Sequence, residues 1–489
     1  MMTAEQYIES IRALGKRNVY VMGEKVDNIV DHPLIRPSIN CCAMTYKLAE
    51  EGQPHRGLMV VDSHLSGKPI NRFTNIHQST DQLVSRIAAQ RLCGAMTGSC
   101  YQRCAGLDAL NATWSVTYDT DQKHGTEYHK RFRKFLEEVQ EKDLVVAAAM
   151  TDPKGNRSLP PSKQADPDLF LHISKRDEKG VYVRGSKLHL TGGLNSHYIL
   201  VFPTQNMSAE SEKDYVISGA VPANDPTITF IYGRQSCDLR KLEPGDKIDV
   251  GNCNYGGQEV VTVFNDTFIP WEMVFMCGET DMIGALVERF AGYHRQSYAG
   301  CKSGNGDVLI GAAAAIAEYN GVPAASHIKD KLVEMIQLNE TLYSCGLGAG
   351  AAGRKLDAGC YMIDVLLANV CKQNVTRFPY EIARLAQDLA GGIMVTMPSE
   401  ADFRHPEVGA LCRQILAGDA KFTPEERQRM LRLIEAMTLG SIAVGYLTES
   451  MHGAGSPQAQ RIMIQRGANL ERKKKMARRL CGIDPDGLF

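Results

Sequence analysis

Two pairs of side chains in this 489-residue sequence have the spacing of a metal-binding site. His294 and Cys301 are seven residues apart, two helical turns, so both would lie on one face of a helix. Cys100 and Cys104 are four residues apart, one turn, and share a face if that segment is helical. Three thiolates and one imidazole from two facing helices could bind a zinc ion or an iron–sulfur cluster, and the residue types alone do not separate the two.

The spacing of the cysteine pair bears on which metal centre is expected. Structural zinc modules commonly place Cys-x2-Cys pairs on turns, whereas Cys100 and Cys104 form a Cys-x3-Cys pair in a segment predicted to be helical. With 14 cysteines in the chain, some pair falls at this spacing by chance. A cysteine on an apolar helix face is often only a small core residue. A metal site is therefore one interpretation, and ordinary core packing is the other.

Composition places the chain among ordinary globular proteins. Hydrophobic residues make up 44% and charged residues 23% of the sequence, which suits a large core without disulfide bonds. The 14 cysteines lack framework-like spacing and the N-terminus lacks a signal-peptide pattern, so we expect a cytoplasmic protein with reduced thiols. A formal net charge of −1 argues against a nucleic-acid-binding surface. We also find no apolar run approaching the roughly 20 residues of a membrane span.

The pattern of elements divides the chain into three predicted domains. Helical periodicity dominates residues 1–143, short strands dominate 144–276, and long amphipathic helices fill 277–489. The run 81–118 is predicted to be helical, with a break near the glycines at 94 and 98. The segment 181–193 is predicted as strand, turn, strand. The expected class is α+β, mainly α: an N-terminal helical domain, a middle β domain of sandwich or barrel type, and a C-terminal helical bundle.

Helices, a small β domain and then a helical bundle resemble the acyl-CoA dehydrogenase fold. In that fold, two strands of the β domain face the flavin ring, and a later helix end meets the adenine-diphosphate part of a flavin bound to a neighbouring subunit. The residues that this resemblance points to as flavin contacts are Met150, Thr151, Thr191, Gln387, Gly391 and Gly392. Without the resemblance, they would be two ordinary strand ends and an ordinary helix C-cap.

Longer motifs are similar, from end to end, to the 4-hydroxybutyryl-CoA dehydratase/vinylacetyl-CoA Δ-isomerase family. The motifs that carry the resemblance are Asp31–Pro33, Arg36–Asn40, Asn75–Asp81, Ser99–Cys104, Ala149–Gly155, Gly256–Glu259, Glu288–Tyr298, Cys301–Lys302 and Glu449–Arg461. The family is related to the flavin-dependent 4-hydroxyphenylacetate 3-monooxygenases. The segment 406–422 is the least family-like, and we assign no function to it.

The resemblance implies a reaction, cofactors and an assembly. The family dehydrates 4-hydroxybutyryl-CoA to crotonyl-CoA by a flavin-mediated radical mechanism, with a [4Fe–4S] cluster as Lewis acid, and isomerises vinylacetyl-CoA to crotonyl-CoA. It implies FAD, one cluster per chain, and a homotetramer with flavin at the subunit interfaces. A cluster with an iron open to substrate is also expected to be oxygen sensitive.

The same resemblance implies roles for individual residues. The cluster ligands carried over by position are Cys100, Cys104, His294 and Cys301. The acid–base candidates are His294 after its release from iron, Glu259, Tyr298 and Glu449, and Lys302 joins Thr191 as a flavin contact. Taken alone, Glu259 would be interpreted as a surface glutamate and Tyr298 as a packed aromatic residue.

Two other functions stay open on the sequence. A chain of this fold without the cluster could be the oxygenase component of a flavin-dependent aromatic monooxygenase. The four-ligand site could also be purely structural, in a non-enzymatic iron–sulfur or zinc protein. Retention of all four ligand residues argues against the first function, and Glu259 with the flavin-type strand ends argues against the second.

Overall fold

The computed structural model describes residues 1–204, 207, 210–239, 248 and 251–483 of the chain. Helices predominate, and most strands lie between residues 146 and 277. The predicted α+β, mainly α class is therefore confirmed, together with the order helical, β, helical. The domain boundaries at 143/144 and 276/277 stay a prediction, and two strands of the first part pair into a sheet of the middle part.

The N-terminal part supplies the helices that flank two of the candidate ligands. Its helices are α1 (Ala4–Ala13), α2 (Arg36–Lys47), α3 (Arg56–Met59), α4 (Thr80–Thr97), α5 (Cys104–His124) and α6 (Tyr128–Glu141). Its strands are β1 (Asn18–Val21), β2 (Glu24–Val26), β3 (Val60–Asp62) and β4 (Pro69–Asn71). The apolar stripe of α1 starts after a capping box in which Thr3 and Gln6 satisfy each other's backbone N–H groups.

The chain breaks between α4 and α5, close to where the glycines predicted a break. α4 is capped by Gly98, whose φ of 60° is a left-handed conformation that glycine adopts without strain. α5 begins only at Cys104, so Cys100 lies in the connecting segment. The predicted single helical face shared by Cys100 and Cys104 is therefore wrong.

The middle part is a sandwich of two open sheets. Its strands are β5 (Val146–Ala149), β6 (His172–Arg176), β7 (Gly180–Thr191), β8 (Tyr198–Val201), β9 (Ile217–Pro222), β10 (Ile228–Tyr232), β11 (Glu259–Pro270) and β12 (Val274–Cys277). The sheet orders are β2-β1-β10-β11-β7-β6 and β12-β9-β8-β5. Val183 and Phe230 of the larger sheet share one buried apolar cluster with Ile199 and Val221 of the smaller. Neither sheet closes on itself among the described strands, so the barrel alternative is wrong.

β7 is one continuous strand where the sequence predicted strand, turn, strand. Its 12 residues pair antiparallel with β11. His189 has a φ of 55°, and the pairing register shifts between Val260 and Thr262 of β11. Such an irregularity is a β-bulge, which bends a strand without ending it. The turn-like residues are thereby kept inside the strand, and Thr191 faces Glu259 across the two strands.

The C-terminal part is a helical bundle built around α7. Its helices are α7 (Ile283–Tyr319), α8 (Ser326–Ala351), α9 (Val365–Val375), α10 (Phe378–Ala390), α11 (Glu400–Arg404), α12 (Gly409–Leu416), α13 (Pro424–Thr438), α14 (Ser441–Ala443), α15 (Glu449–His452), α16 (Pro457–Gly467) and α17 (Leu470–Leu480), with the short strands β13 (Arg354–Lys355) and β14 (Tyr361–Met362). α7 packs against α4, α5, α8, α9, α10 and α13. A methyl group at Gly304 would lie 2.1 Å from Arg91 O, so this glycine lets α4 approach α7 closely.

A wide helical turn separates α14 from α15. Residues Val444–Thr448 form a π-helix, a rare conformation found frequently at functional sites. The surrounding helical stretch Pro424–His452 is long and apolar enough to cross a membrane, which corrects the expectation that no such run exists. However, 56% of its most apolar window is buried inside the protein, as in the core helix of a bundle.

Candidate metal centre and acid–base site

One face of α7 carries four of the predicted site residues, His294, Tyr298, Cys301 and Lys302. The rings of His294 and Tyr298 have centroids 5.1 Å apart, and Cys301 Sγ lies 3.8 Å from Tyr298 O. Tyr298, Cys301 and Lys302 are buried, and the His294 side chain is 14% exposed. Helical spacing thus puts His294 and Cys301 on one face of α7, as the sequence predicted, and Tyr298 and Lys302 share that face.

Cys100 and Cys104 meet although only one of them is helical. Cys104 donates a hydrogen bond to Cys100, which lowers the pKa of Cys100 and raises that of Cys104 well above its ordinary value. Burial raises the pKa of Cys301 to about 12, and the Lys302 ammonium opposes that shift. All three cysteines are only 5% exposed. The site therefore gathers three buried thiols next to a buried cation.

His294 is oriented by a buried carboxylate that sequence reasoning missed. Its Nδ1 lies 2.8 Å from Asp108 Oδ2, so we assign the ring proton to Nδ1 and the free lone pair to Nε2. Asp108 also accepts hydrogen bonds from Arg86, at 2.7 Å, and from the Ser297 hydroxyl, at 3.0 Å. Carboxylates in this position fix the ring of metal-binding histidines and raise their basicity. Among the described residues, His294 Nε2 has no protein partner and is available to a metal or a proton.

Arg86 completes this buried network. It is fully buried, and its guanidinium lies 3.0 Å from His77 Nε2 and donates to Tyr293 O at 2.8 Å. Burying a guanidinium or a carboxylate alone costs free energy, and here Arg86 and Asp108 compensate each other. The signal available in the sequence was an aspartate between Leu107 and Ala109, because an acidic residue in an apolar helix is almost always paired.

Two glutamates from distant parts of the chain form a hydrogen-bonded carboxyl pair. Glu259 begins β11 and Glu449 begins α15. Burial, with the charge and hydrogen bond of Glu449, raises the pKa of Glu259 well above its ordinary value. Thr191 Oγ1 donates to Glu259 Oε1 at 2.7 Å, and Lys302 Nζ lies 3.1 Å from Glu449 Oε2. The raised pKa favours the protonated form of the Glu259 carboxyl.

Two lysine side chains lie near the ring of Tyr298. Lys302 Nζ is 4.9 Å and Lys372 Nζ 4.5 Å from the centroid of its ring. Burial raises the pKa of Tyr298 well above its ordinary value, so its hydroxyl keeps its proton and acts as a donor. A methyl group at Gly453 would lie 1.6 Å from the Tyr298 hydroxyl oxygen, so only glycine admits this close approach. Sequence reasoning missed Lys372, which stands in an apolar helix without a motif.

The predicted flavin-facing strands are fixed by a buried lysine. Lys187 of β7 donates to Met150 O at 3.1 Å and pairs with Asp152 at 2.5 Å. Leu188 N donates to Thr151 O at 2.7 Å. The backbone after β5 is therefore held by β7, while the Thr151 hydroxyl finds no partner among the described residues. That arrangement fits a strand end that offers its hydroxyl to a ligand.

The third predicted flavin segment lies at a helix end on the surface. Gly391 caps α10 with a φ of 82°, and its N–H donates to Gln387 O at 3.0 Å. Gly391 and Gly392 are exposed, and a methyl group on either would meet no atom within 4 Å. Gly391 thus ends α10 with ψ near 177°, away from the left-handed conformation of the common glycine C-cap, and with open space above it. The place of these residues as a flavin contact of a neighbouring subunit stays a prediction.

The donor set suits a polynuclear cluster. Three buried thiols and one imidazole with a free Nε2 are offered by α5, its preceding segment and α7. Within the described residues, no three His, Cys, Asp or Glu side chains converge tightly enough to hold one metal ion. The four ligands of a [4Fe–4S] cluster bind four different irons, so they surround the cluster without converging on one point. The types of residue present therefore fit such a cluster.

Comparison with known sequences places the whole chain in one family. The profile described as 4-hydroxyphenylacetate 3-hydroxylase N terminal matches residues 3–276, and the C-terminal profile matches 283–482. The chain is 58% identical to the 4-hydroxybutyryl-CoA dehydratase/vinylacetyl-CoA-Delta-isomerase of Clostridium aminobutyricum, covering 99% of this chain and 100% of that one. It is 26% identical to a 4-hydroxyphenylacetate 3-monooxygenase oxygenase component of a Geobacillus species, covering 93% and 91%.

Comparison with solved structures gives the same result. An oxygen-tolerant archaeal 4-hydroxybutyryl-CoA dehydratase from N. maritimus superposes with a TM-score of 0.95 at 55% identity, covering 98% of this chain and 95% of that one. The oxygenase component of 4-hydroxyphenylacetate 3-monooxygenase complexed with FAD superposes with a TM-score of 0.84 at 23% identity, covering 98% of both chains. The second likeness establishes the fold.

Proposed function

Since the chain belongs to the 4-hydroxyphenylacetate 3-hydroxylase family and is 58% identical to a dehydratase over its full length, we propose that it dehydrates 4-hydroxybutyryl-CoA to crotonyl-CoA and isomerises vinylacetyl-CoA to crotonyl-CoA. It would thus be a lyase that also has isomerase activity. One observation carries the proposal: three buried thiols and an oriented imidazole lie in the same site as a buried tyrosine and a carboxyl group, that of Glu259, whose pKa is raised.

We propose Cys100, Cys104, His294 and Cys301 as ligands of one [4Fe–4S] cluster. The proposed flavin contacts are Met150, Thr151, Thr191 and Lys302 of one subunit and Gln387, Gly391 and Gly392 of a neighbouring subunit in a homotetramer. When bound, the cluster would supply a Lewis-acidic iron and FAD would supply one-electron chemistry. The free His294 Nε2 and the partnerless Thr151 hydroxyl support these assignments.

The chain's own residues would handle the protons. Once released from iron, His294 Nε2 is the proposed base toward the substrate carbon, because Asp108 holds the Nδ1 proton and supports its basicity. Glu259 is the proposed donor to the departing hydroxyl, because its proton is held by burial next to Glu449. Tyr298, protonated and buried, would hold the substrate by a hydrogen bond. Burial of these groups excludes water, which would otherwise compete for each proton.

Purified protein tests the proposal directly. We expect anaerobically prepared protein to contain flavin and about four irons with matching sulfide per chain, the content of one such cluster, and to form crotonyl-CoA from 4-hydroxybutyryl-CoA. Flavin without iron, and hydroxylation of a phenol, would favour the monooxygenase alternative. Iron without flavin or turnover would favour a structural metal site.

Oxygen sensitivity stays a prediction, which follows from a cluster with one iron open to the substrate. The archaeal dehydratase that is 55% identical to this chain is described as oxygen tolerant. The test for this chain is the dehydratase activity that remains after hours of aeration.

Replacing Asp108 with Asn is expected to lower iron retention and activity by about 10- to 100-fold, as for other partners of metal-binding histidines. The amide keeps the side-chain shape, but it removes the charge and no longer fixes the proton on Nδ1. Iron per chain after a chelator challenge is the measurement. Asp119→Asn is the matched control, because Asp119 also lies on α5 and pairs with Arg289 of α7. Equal retention in parent and Asp108→Asn would remove Asp108 from the orienting role.

A further inference from the structure

Lys372 is a buried cation to which neither the family resemblance nor the proposed chemistry gives a role. It lies on α9 and has no exposed surface. No carboxylate in the described part of the chain forms an ion pair with it. Its Nζ donates instead to the carbonyl oxygen of Ser450 and stands 4.5 Å from the centroid of the Tyr298 ring.

Burying the amino group of Lys372 at this position costs free energy. Burial, with repulsion from Lys302 and Arg295, lowers the pKa of Lys372 to about 7. A buried lysine without a carboxylate loses its hydration, and one carbonyl and one aromatic ring compensate only part of that loss. An apolar side chain would fill the same space at lower cost. The hydrogen bond to Ser450 is therefore the feature that needs an explanation.

The explanation lies in the helical segment that carries Glu449. The π-helix Val444–Thr448 is followed by α15, which ends at His452. Carbonyl groups in the last turn of a helix have no partner within it. Two carbonyls on either side of Glu449 accept hydrogen bonds from buried lysines: that of Gly445, within the π-helix, from Lys302 of α7, and that of Ser450, in the last turn of α15, from Lys372 of α9.

The two lysines also contact the tyrosine. Both ammonium groups lie against the Tyr298 ring, at 4.9 Å for Lys302 and 4.5 Å for Lys372. Tyr298, in turn, packs its hydroxyl against Gly453, just after the end of α15. One cation from each of two helices thus fixes the tyrosine and the carboxylate-bearing segment relative to each other.

We propose that Lys372 is a positioning residue that holds the segment from Gly445 to His452 in place, so that Glu449 meets Glu259 and the segment closes over Tyr298. The proposal rests on the proposed function for its catalytic consequence. Its structural part does not, because the hydrogen bond to Ser450 exists whatever the substrate is. Lys302 contacts Glu449 directly, whereas Lys372 acts on Glu449 only through the backbone.

The first test measures the segment itself. Lys372→Met keeps the stem and removes the ammonium group. In the intact holoprotein, amide hydrogen exchange in peptides covering 441–456 should become faster by about threefold or more, because the hydrogen bond to the Ser450 carbonyl is lost. Lys331→Met is the matched control, since Lys331 lies on the neighbouring α8 and pairs with Asp388 at 2.6 Å. Exchange in 441–456 should be unchanged in the control.

The second test measures catalysis per assembled cluster. With 4-hydroxybutyryl-CoA, kcat of Lys372→Met should fall on the order of tenfold or more while KM stays within about twofold, because the misplaced group acts on the chemical step. Lys372→Ala leaves a gap the size of n-propylamine, so that amine should restore part of kcat and n-propanol should not. If Lys372→Met does not fold, Lys372→Gln, which keeps a shorter N–H donor, takes its place with a smaller loosening expected.

The outcomes separate the two proposals. If the parent protein has no dehydratase activity, the proposed function is overturned. If hydrogen exchange in 441–456 still becomes faster on substitution of Lys372 in that protein, the positioning role is supported. If the parent is active and the Lys372→Met or Lys372→Gln variant keeps both the hydrogen-exchange rate and the kcat of the parent, the positioning role is overturned. Rescue by n-propanol as well as by the amine would also overturn it, because filling space would then suffice.

Discussion

Replacing His294 with Cys is expected to give a protein that still assembles an iron–sulfur cluster but is close to inactive. Four cysteines are the commonest ligand set of a [4Fe–4S] cluster, and the two-turn spacing to Cys301 is unchanged. Two losses then add together. A thiolate holds its iron too firmly to yield to the substrate hydroxyl, and no Nε2 remains to take a proton. Loss of a general base alone costs about 10²- to 10⁴-fold in rate.

The quantity to compare is anaerobic dehydratase activity per assembled cluster, with iron, sulfide and flavin measured on the same samples. His124→Cys is the matched control, because His124 lies at the end of α5 and contacts Asp281 near the surface. It should retain parental activity. Activity per cluster of His294→Cys within a few-fold of the parent would make His294 a structural ligand only, and Glu259 and Glu449 would be the next candidates for the base.

Cys104→Ser should lower the iron content and abolish dehydration. A serine hydroxyl is a hard, weakly acidic donor that binds iron–sulfur clusters far less well than a thiolate. The measurements are iron and sulfide per chain and crotonyl-CoA formation under anaerobic conditions.

Cys93→Ser gives this experiment its control. Cys93 is fully buried on α4, in the same apolar cluster as Cys104 and Cys301, so the substitution imposes a similar packing cost. Its iron content should match the parent. Full iron and full activity in Cys104→Ser would remove Cys104 from the ligand set, and a similar iron loss in both variants would point to general destabilisation of that cluster.

The placement of the site residues on α7 could be predicted from their spacing in the sequence. His294, Tyr298 and Cys301 lie on one α-helix, so their relative placement depends only on helical geometry. The same argument failed for Cys100, because a glycine in the left-handed conformation ended α4 before it. The two thiols still meet, through the path of the connecting segment, which periodicity does not describe.

The acid–base part of the site depends on tertiary packing. Glu259 and Glu449 are 190 residues apart and meet only because β11 and α15 are brought together by the fold. Family motifs identified both residues, but no local pattern predicted their hydrogen bond. Asp108 and Lys372 were missed for the same reason, since each acts through a partner on another helix. Strand β7 was misread because a bulge absorbed its turn-like residues.

The carboxyl pair also links the folding of this chain to pH. Glu259 has a raised pKa, so the folded chain keeps a proton at pH values where the unfolded chain has released it. The folded state then binds more protons than the unfolded state, and the free energy of unfolding falls as pH rises through that interval. In the proposed reaction, giving this proton to a leaving hydroxyl would place the folded enzyme in its less stable charge state. Relief of that charge would favour uptake of a new proton, so the burial that raises the pKa would also return the carboxyl group to its starting state.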